Sequence, residues 1–497
     1  MHRSTQVLVI GGGPAGSTAA TFLAREGFDV TLVERDVFPR YHIGESLLPS
    51  CLEILELTGA REKIEAYGFQ HKGGGYFAWG KDSWVLDFAP LRYPYSFQVV
   101  RSQFDHLLLE HAKSQGVKVF EGTEIRGLSF DGDRPRSATW SQVLPFEPAD
   151  PQGRSDSSVA GSHFKGVGGS DTGEISFDYL IDASGRAGVI AMHYLKNRHY
   201  HNAFQNIAMW GYWTGAGRMS FAPEGAIANG AVPEGWLWGI PLHDGTMSVG
   251  LVLHKTTFKE VRQQSNSLEQ IYLNAIDSCP LIADLVKAGK LVTNIRTEQD
   301  YSYIAGSLTG PGYFLIGDAA CFIDPLLSTG VHLATHSAML CAASIASILR
   351  GDVAEQQAMA FFEQSYRQTY LRLMVIVSGM YQQYDGKDTY FWQAQQLTHH
   401  DYDDNSAMMG AWLYVVSGME DVKDSGKPRR ELEAVGLAGV HSQPVEVTDR
   451  EMALYNLYNK VFFGTSMSPE RASEGLYVTT KPRLGLTLAE KDRVKTA

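Results

Sequence analysis

The stretch Val7-Leu-Val-Ile-Gly-Gly-Gly-Pro-Ala-Gly16 decides the fold. An apolar, mostly β-branched run meets a glycine turn, and Ser17 to Arg25 continues as a helix-like run. The pattern reads as a strand, a tight turn and a helix N-terminus. Gly11 permits the sharp turn, Gly13 lets backbone approach a pyrophosphate, and Gly16 lets helix and strand pack closely. Pro14 and Ala15 open the helix, whose free N–H groups and positive dipole end suit phosphates. Asp29-Val-Thr-Leu-Val33 forms a second strand ending in Glu34, a carboxylate placed for ribose hydroxyls. A bare G-x-G-x-x-G also fits an ordinary glycine turn in a βαβ unit. Strand, helix, second strand and terminal acid in succession favour a dinucleotide.

Around this stretch lie 497 residues, enough for two or three subdomains. Hydrophobic content of 44% and charged content of 20% describe a soluble globular chain. A net charge of −12 argues against nucleic acid or an anionic membrane as partner. Cys51, Cys279, Cys321 and Cys341 are scattered without metal-ligand spacing and read as buried thiols in a reducing compartment. The first strand begins at Gln6, which leaves no room for a signal peptide, and no apolar run is read as bilayer-spanning. A cytoplasmic protein is expected. His399-His400-Asp401 reads as a solvated loop rather than a metal site.

Further along, Phe38 to Ser46 is a charged loop and Leu47 to Lys63 has helical spacing. Phe69 to Asp87 reads as glycine-containing strands, and Arg101 to Ala112 as an amphipathic helix. Residues 146–173 are rich in Gly, Ser, Asp and Pro between strand-like runs, the composition of a long flexible hairpin tip. Residues 204–256 alternate aromatic and small side chains, as in an antiparallel sheet, and Val331 to Leu349 is helical. Ile316-Gly-Asp-Ala-Ala-Cys-Phe-Ile-Asp-Pro325 puts Asp318 directly after a strand and Gly317, placed for a ribityl or ribose hydroxyl, though Asp also caps turns. Asp182-Ala-Ser-Gly-Arg186 ends another strand, and Arg101 opens a helix within reach of phosphate.

The order of these segments over residues 5–350 resembles the FAD-dependent monooxygenases of the para-hydroxybenzoate hydroxylase type. The resemblance implies an α/β fold: a Rossmann-like FAD-binding domain, an antiparallel substrate-side β-sheet and a helical C-terminal region. The implied core is 1–350, with FAD segments at about 1–130, 176–190 and 310–350 and the substrate-side sheet at about 65–100 and 200–310. Residues 351–497 would cover the substrate, mostly as helices. The implied FAD-binding set is Gly11, Gly13, Pro14, Ala15, Gly16, Glu34, Arg40, Gly44, Glu45, Ser46, Arg101, Asp182, Gly317 and Asp318.

Two stretches narrow the chemistry. In Gly235-Trp-Leu-Trp-Gly-Ile-Pro-Leu242 the tryptophans at i and i+2 share one strand face. On spacing alone that is core packing. The run is also similar to the W-x-W-x-I-P signature of flavin-dependent halogenases, where Trp236 and Trp238 would keep substrate from the flavin. Gly68-Phe-Gln-His-Lys-Gly-Gly-Gly-Tyr-Phe-Ala-Trp-Gly80 holds a lone lysine, ordinarily a solvated residue. It resembles the K-x-G-x-x-F-x-W-G run of phenol-type halogenases, which gives Lys72 the role of positioning hypohalous acid or forming a chloramine. Tyr41-His-Ile-Gly-Glu-Ser46 fits the family's loop beside the flavin. Pro325 to His332 fits its halide loop, with Ser328, Thr329 and Gly330 as halide ligands through an anion nest.

The resemblance thus implies a halogenase that uses FAD delivered as FADH2 by a separate flavin reductase, with O2 and chloride or bromide as co-substrates. The route it implies runs through a flavin hydroperoxide and hypohalous acid. Tryptophan halogenases carry a glutamate immediately before Ser-Thr-Gly. Here that residue is Leu327, which points to a phenolic or polyketide-derived substrate in specialised metabolism. A free small molecule is favoured over a carrier-bound one. An aromatic hydroxylase using NAD(P)H, an isoprenoid-lipid reductase and a non-catalytic flavin-binding module are the competing readings.

Overall fold

The computed structural model describes residues 4–143, 171–265, 267–382, 467–469 and 472–489. The tip expected at 146–173 falls almost wholly outside them, as does His399–Asp401.

Strand Ser4–Ile10 pairs in parallel with Val30–Val33 on one side and Thr172–Asp182 on the other. Lys118–Phe120 and Tyr313–Leu315 extend the sheet, both in parallel. All four residues of Val30–Val33 are buried, as expected of a strand covered on both faces. Helix Pro14–Arg25 covers this sheet and packs against helix Gly330–Arg350. Gly11 has a φ of +104°, and a Cβ there would lie 2.3 Å from the Ala183 carbonyl oxygen. A Cβ on Gly16 would lie 1.9 Å from the Gly11 carbonyl oxygen. Space therefore requires both glycines, and the dihedral requires Gly11 as well. The antiparallel pair Thr123–Asp131 and Arg134–Gln142 joins through Thr172–Asp182, with Thr172 opposite Ser141.

The second sheet runs in the order Cys321–Phe322, Arg296–Ala305, Arg198–Thr214, Thr246–His254, Gly235–Pro241, Ile227–Val232, Gly74–Trp79, Asp82–Asp87. It is antiparallel but for one pair: Ile227–Val232 lies parallel to Gly74–Trp79. Helices Lys255–Gln264, Leu268–Asp277 and Pro280–Val286 follow its strand Thr246–His254. The last two bury Ile271, Tyr272 and Ile282 against Leu237, Val249 and Leu251 of the sheet.

Several expectations need correction. The helical run from Leu47 is two helices, Ser50–Thr58 and Arg61–Tyr67, because Gly59 adopts the left-handed cap that ends the first. Lys72 is not in the large sheet: Gln70–Lys72 pairs only with Ser96–Gln98, and Gly73 follows. In the C-terminal part, expected to be mostly helical, the described residues also include strands. Glu355–Gln382 is a helix, but Leu476–Thr479 and Gly485–Leu488 form a hairpin. Finally, Gly330–Arg350 has the length and apolarity to cross a membrane, yet 94% of its apolar window is buried inside the protein. Its apolar residues serve the core between the nucleotide helix and the C-terminal elements.

Candidate active site

A cavity of about 930 Å³ opens at the carboxyl ends of the parallel strands and is bounded by both sheets. Gly11, Gly13, Pro14 and Ala15 form one side of it. Helix Pro14–Arg25 starts there from Gly13 with no side-chain cap, so its first N–H groups are open to an anion. Glu34 lines the same end. Its Oε2 accepts from Gly12 N at 2.6 Å and its Oε1 from Asp36 N at 2.8 Å, which fixes the carboxylate before any ligand arrives. Burial raises its pKa despite those bonds.

Arginines 35, 40, 101, 126 and 186 all reach the lining. Arg101 holds Asp105 through two bonds, at 2.8 and 3.0 Å, and donates to the Ile43 and Gly44 carbonyls at 2.8 and 3.1 Å. It thereby shapes the loop that carries Gly44, Glu45 and Ser46. Arg40 pairs with Asp105 at 3.2 Å, so two arginines share one buried carboxylate. Burial alone would raise the Asp105 pKa, but Arg101 and then Arg40 hold it below its usual value. The two cations against one anion leave net positive charge beside the uncapped helix, as a pyrophosphate needs.

Glu45 is fully buried, and burial pushes its pKa up to about 7 against the pull of Ser248, Tyr212 and Arg101. Its Oε1 accepts from Tyr212 at 2.6 Å, while Oε2 and the neighbouring Ser46 Oγ have no protein partner. Tyr212 in turn lies 3.0 Å from Tyr41, which also accepts from Trp210 Nε1 at 2.6 Å. Arg296 stacks over the Tyr41 ring at 3.9 Å. Orphaned buried polar atoms, an open helix end, a fixed ribose-side acid and a cavity of this size fit FAD.

Not every expected residue faces the cavity. Asp318 and Arg186 do, 3.9 Å apart. Asp182 does not: its carboxylate is occupied by Ser184 N, Ser184 Oγ and Ile190 N at 3.1, 2.5 and 2.7 Å. It shapes the 183–187 turn, which lines the cavity in its place. Gly317, at φ +56°, also lies behind the lining, where a Cβ would meet Ala15 Cβ at 3.0 Å. Gly16 is likewise a packing residue.

On the second sheet, Trp236 and Trp238 both line the cavity, with ring centroids 6.0 Å apart. Gly250 stands directly across from Trp238, and a Cβ there would lie 2.0 Å from the indole. The indole lies over Gly250 because no side chain stands there. Trp238 Nε1 donates to Ser248 at 3.3 Å. The Ser328-Thr329-Gly330 turn reaches the same cavity. Ser328 has a φ of +59° and Thr329 a φ of −81°, a reversal of hand that turns successive N–H groups to one side. Thr329 begins helix Gly330–Arg350 without a side-chain cap. Leu327 is buried in the core, so the turn carries no carboxylate at that position.

Lys72 is brought close but not in. It is 2% exposed, donates to the Leu47 carbonyl at 3.0 Å and sits 5.5 Å from the Phe88 ring centroid, outside the cavity lining. Burial lowers its pKa to about 7, against a small pull from Cys51. All four cysteines are buried and free, and no metal-ligating cluster occurs among the described residues.

Four residues escape the sequence reading. Asp324 lines the cavity but was overshadowed by Asp318 in the same stretch. Tyr41 and Tyr212 meet only through the fold. Tyr381, one of several aromatics at helical spacing, contacts Asp324 and Trp236, which no pattern signals.

Comparisons with known proteins identify the family and the fold. A family model for an FAD binding domain matches residues 4–142, and one for tryptophan halogenase matches residues 154–480. The chain is 46% identical to a tryptophan 2-halogenase of Chondromyces crocatus, covering 97% of this chain and 94% of that one. It is 37% identical to the sulochrin halogenase gedL of Aspergillus terreus, covering 86% and 77%. Among solved structures, the myxobacterial chondrochloren halogenase CndH superposes with a TM-score of 0.70 at 31% identity, covering 89% of this chain and 99% of that one. The flavin-dependent halogenase CmlS gives 0.69 at 32%, covering 92% and 77%. By sequence and fold, the chain belongs to the tryptophan halogenase family of FAD-dependent halogenases.

Proposed function

We propose that this enzyme halogenates an electron-rich, phenolic or polyketide-derived small molecule, taking chloride or bromide as halide and reduced FAD from a separate reductase. The observation that carries the reading is the joint presence, around one cavity, of the Trp236–Trp238 pair and the Ser328–Gly330 turn. Bound in reduced form, FAD supplies the two electrons that let O2 oxidise a halide to hypohalous acid.

The protein residues divide the remaining work. The open helix end at Pro14 and the Arg40–Asp105–Arg101 group hold the pyrophosphate. Glu34 orients the ribose. The opposed dihedrals at Ser328 and Thr329 present N–H donors to a halide inside the cavity. Trp236 and Trp238 fill the cavity side with apolar surface, keeping the organic substrate and bulk water from the flavin while a small oxidant passes. Lys72, behind that wall, meets the oxidant as a largely desolvated amine. With its pKa near 7 it is in good part neutral at neutral pH and able to take up halogen as a chloramine, or to hold the acid by a hydrogen bond. Leu327 supports the phenolic substrate: the turn offers no base there, and a ring bearing its own hydroxyl needs less help.

An indole substrate is the second reading, favoured by the 46% identity to a tryptophan 2-halogenase. One assay decides. The enzyme is supplied with FAD, a flavin reductase, NADH, chloride or bromide, and a panel of phenols alongside tryptophan. Mass spectra of the products are read for halogen isotope patterns. Halogenated phenols are expected. Halogenated tryptophan alone overturns the substrate, and hydroxylated products without halide dependence overturn the reaction.

A further inference from the structure

Beside the tryptophan wall, three separate elements converge on one carboxylate. Asp324 lies on the loop leading into the halide turn and lines the cavity. Its Oδ1 accepts from Leu326 N at 2.9 Å, which folds that loop onto itself. Its Oδ2 accepts from Asn206 Nδ2 at 3.0 Å, on the long strand Arg198–Thr214. The Tyr381 hydroxyl, at the end of helix Glu355–Gln382, donates to it at 3.0 Å. That same hydroxyl oxygen accepts from Trp236 Nε1 at 2.8 Å. One phenol therefore joins the wall to the halide loop, donating to one and accepting from the other. Asp324, Asn206, Trp236 and Tyr381 are all buried. Trp79 backs the junction, with its ring 6.5 Å from Trp236 and its Nε1 donating to the Met380 carbonyl at 3.1 Å.

An indole packed only by apolar contacts rocks within its well. One tied through its Nε1 to a fixed acceptor does not, and in a low-dielectric site that tie is strong. The tie ends on the carboxylate that also sets the Leu326–Gly330 backbone. We propose that Tyr381 is a positioning residue that locks the Trp236 ring and the halide turn together through Asp324, so that oxidant is formed only when the passage beside Trp236 has its productive shape. This rests on the reading of Trp236 as part of the wall between flavin and substrate. It assigns to the C-terminal helix a role in coupling oxidant formation to its use.

The test compares wild type with Tyr381→Phe, Trp236→Phe and the double variant, each as full-length protein. Tyr381→Phe keeps the ring and removes both hydrogen bonds. Trp236→Phe removes the donor and leaves Tyr381 on Asp324. Three quantities are read: halogenated product per FADH2 oxidised, hypohalous acid escaping to a soluble trap, and the chloride dissociation constant from perturbation of the oxidised FAD absorbance. Each single variant loses the neutral Trp236–Tyr381 bond and is expected to lower product per FADH2 by at least about five-fold, the worth of that bond, with escaped oxidant rising in proportion. In Tyr381→Phe the chloride constant weakens by a similar factor while FAD affinity and thermal midpoint hold. The double variant is expected to be no worse than the poorer single one, as befits two ends of one link. A merely structural role predicts lower thermal midpoints at unchanged coupling. Unchanged coupling and chloride affinity in Tyr381→Phe, or additive losses in the double variant, overturn the proposal. Absence of both halogenated product and trapped hypohalous acid from wild type and variants alike instead overturns the proposed chemistry, and the chloride titration still reads the link.

Discussion

Two buried ionisable side chains carry the sharpest expectations at the scale of the residue. If the neutral Lys72 amine takes up halogen, halogenation rises with pH through about 7, where the amine loses its proton, and then levels off. Lys72→Arg keeps a cation and a donor but no neutral amine, so it should fail as fully as Lys72→Ala. Both are expected to lose about 10²-fold or more in product formation with FAD content unchanged. An active Lys72→Arg enzyme would instead favour the hydrogen-bonding role. Glu45 acts on stability. Its folded pKa, about 7, lies above the ordinary carboxylate value of 4.5, so between those values the folded protein binds more protons than the unfolded chain. Stability from this group is full below about pH 4.5 and is lost as pH rises through 7, amounting to about 3 kcal/mol at most. Glu45→Gln should abolish that part of the slope, read as the difference in denaturant midpoint between variant and wild type across pH 4 to 8. The sequence displayed both residues but neither environment. Their perturbation comes from burial by chain segments distant in sequence, which no local pattern records.

At the scale of the element, the strand–turn–helix of residues 4–25 was legible because constraints sufficient to read it are local, although Ala183 adds a distant one. The turn needs Gly11, the close packing needs Gly16, and both requirements sit within a dozen residues of one another. The Trp236–Trp238 strand was legible only as a pattern. What seats it is Gly250 on the next strand, a residue with no motif of its own. Gly250→Ala places a methyl within the volume of the Trp238 indole and must move the ring. The expected result is a folded, FAD-binding protein that releases more hypohalous acid per product than wild type, measured with the same soluble trap. A variant as tightly coupled as wild type would show that the ring position is not critical. Lys72 was misplaced at this scale. Its neighbours read as one continuous strand region, whereas Gly73 splits Gln70–Lys72 from the sheet and leaves the lysine on a short ladder opposite Ser96.

At the scale of the molecule, the C-terminal hairpin returns to the nucleotide half. Leu486 N donates to Ser347 Oγ at 2.7 Å and Leu484 N to Glu26 at 2.8 Å, while Arg350 pairs with that same glutamate at 2.8 Å. Leu476, Val478, Leu484 and Leu486 are buried in the core. Deleting residues 472–497 should therefore lower the thermal midpoint by on the order of 5 °C or more and weaken FAD binding, both measurable on the purified protein. An unchanged midpoint would make the hairpin an ornament. Periodicity pointed to a mostly helical region here because short strands docking on a distant helix leave too brief an alternation to be seen. The same interleaving governs how the protein is made. Ser4–Ile10 takes its sheet neighbours from residues near 30, 180 and, one strand further, 314. At a ribosomal rate of about 5–20 residues per second, roughly 15–60 s separates the emergence of the first strand from that of Tyr313–Leu315. Over that interval Val7–Ile10, buried in the folded protein, lacks its full cover, and the nucleotide site cannot exist on the ribosome until more than half of the polypeptide has been translated.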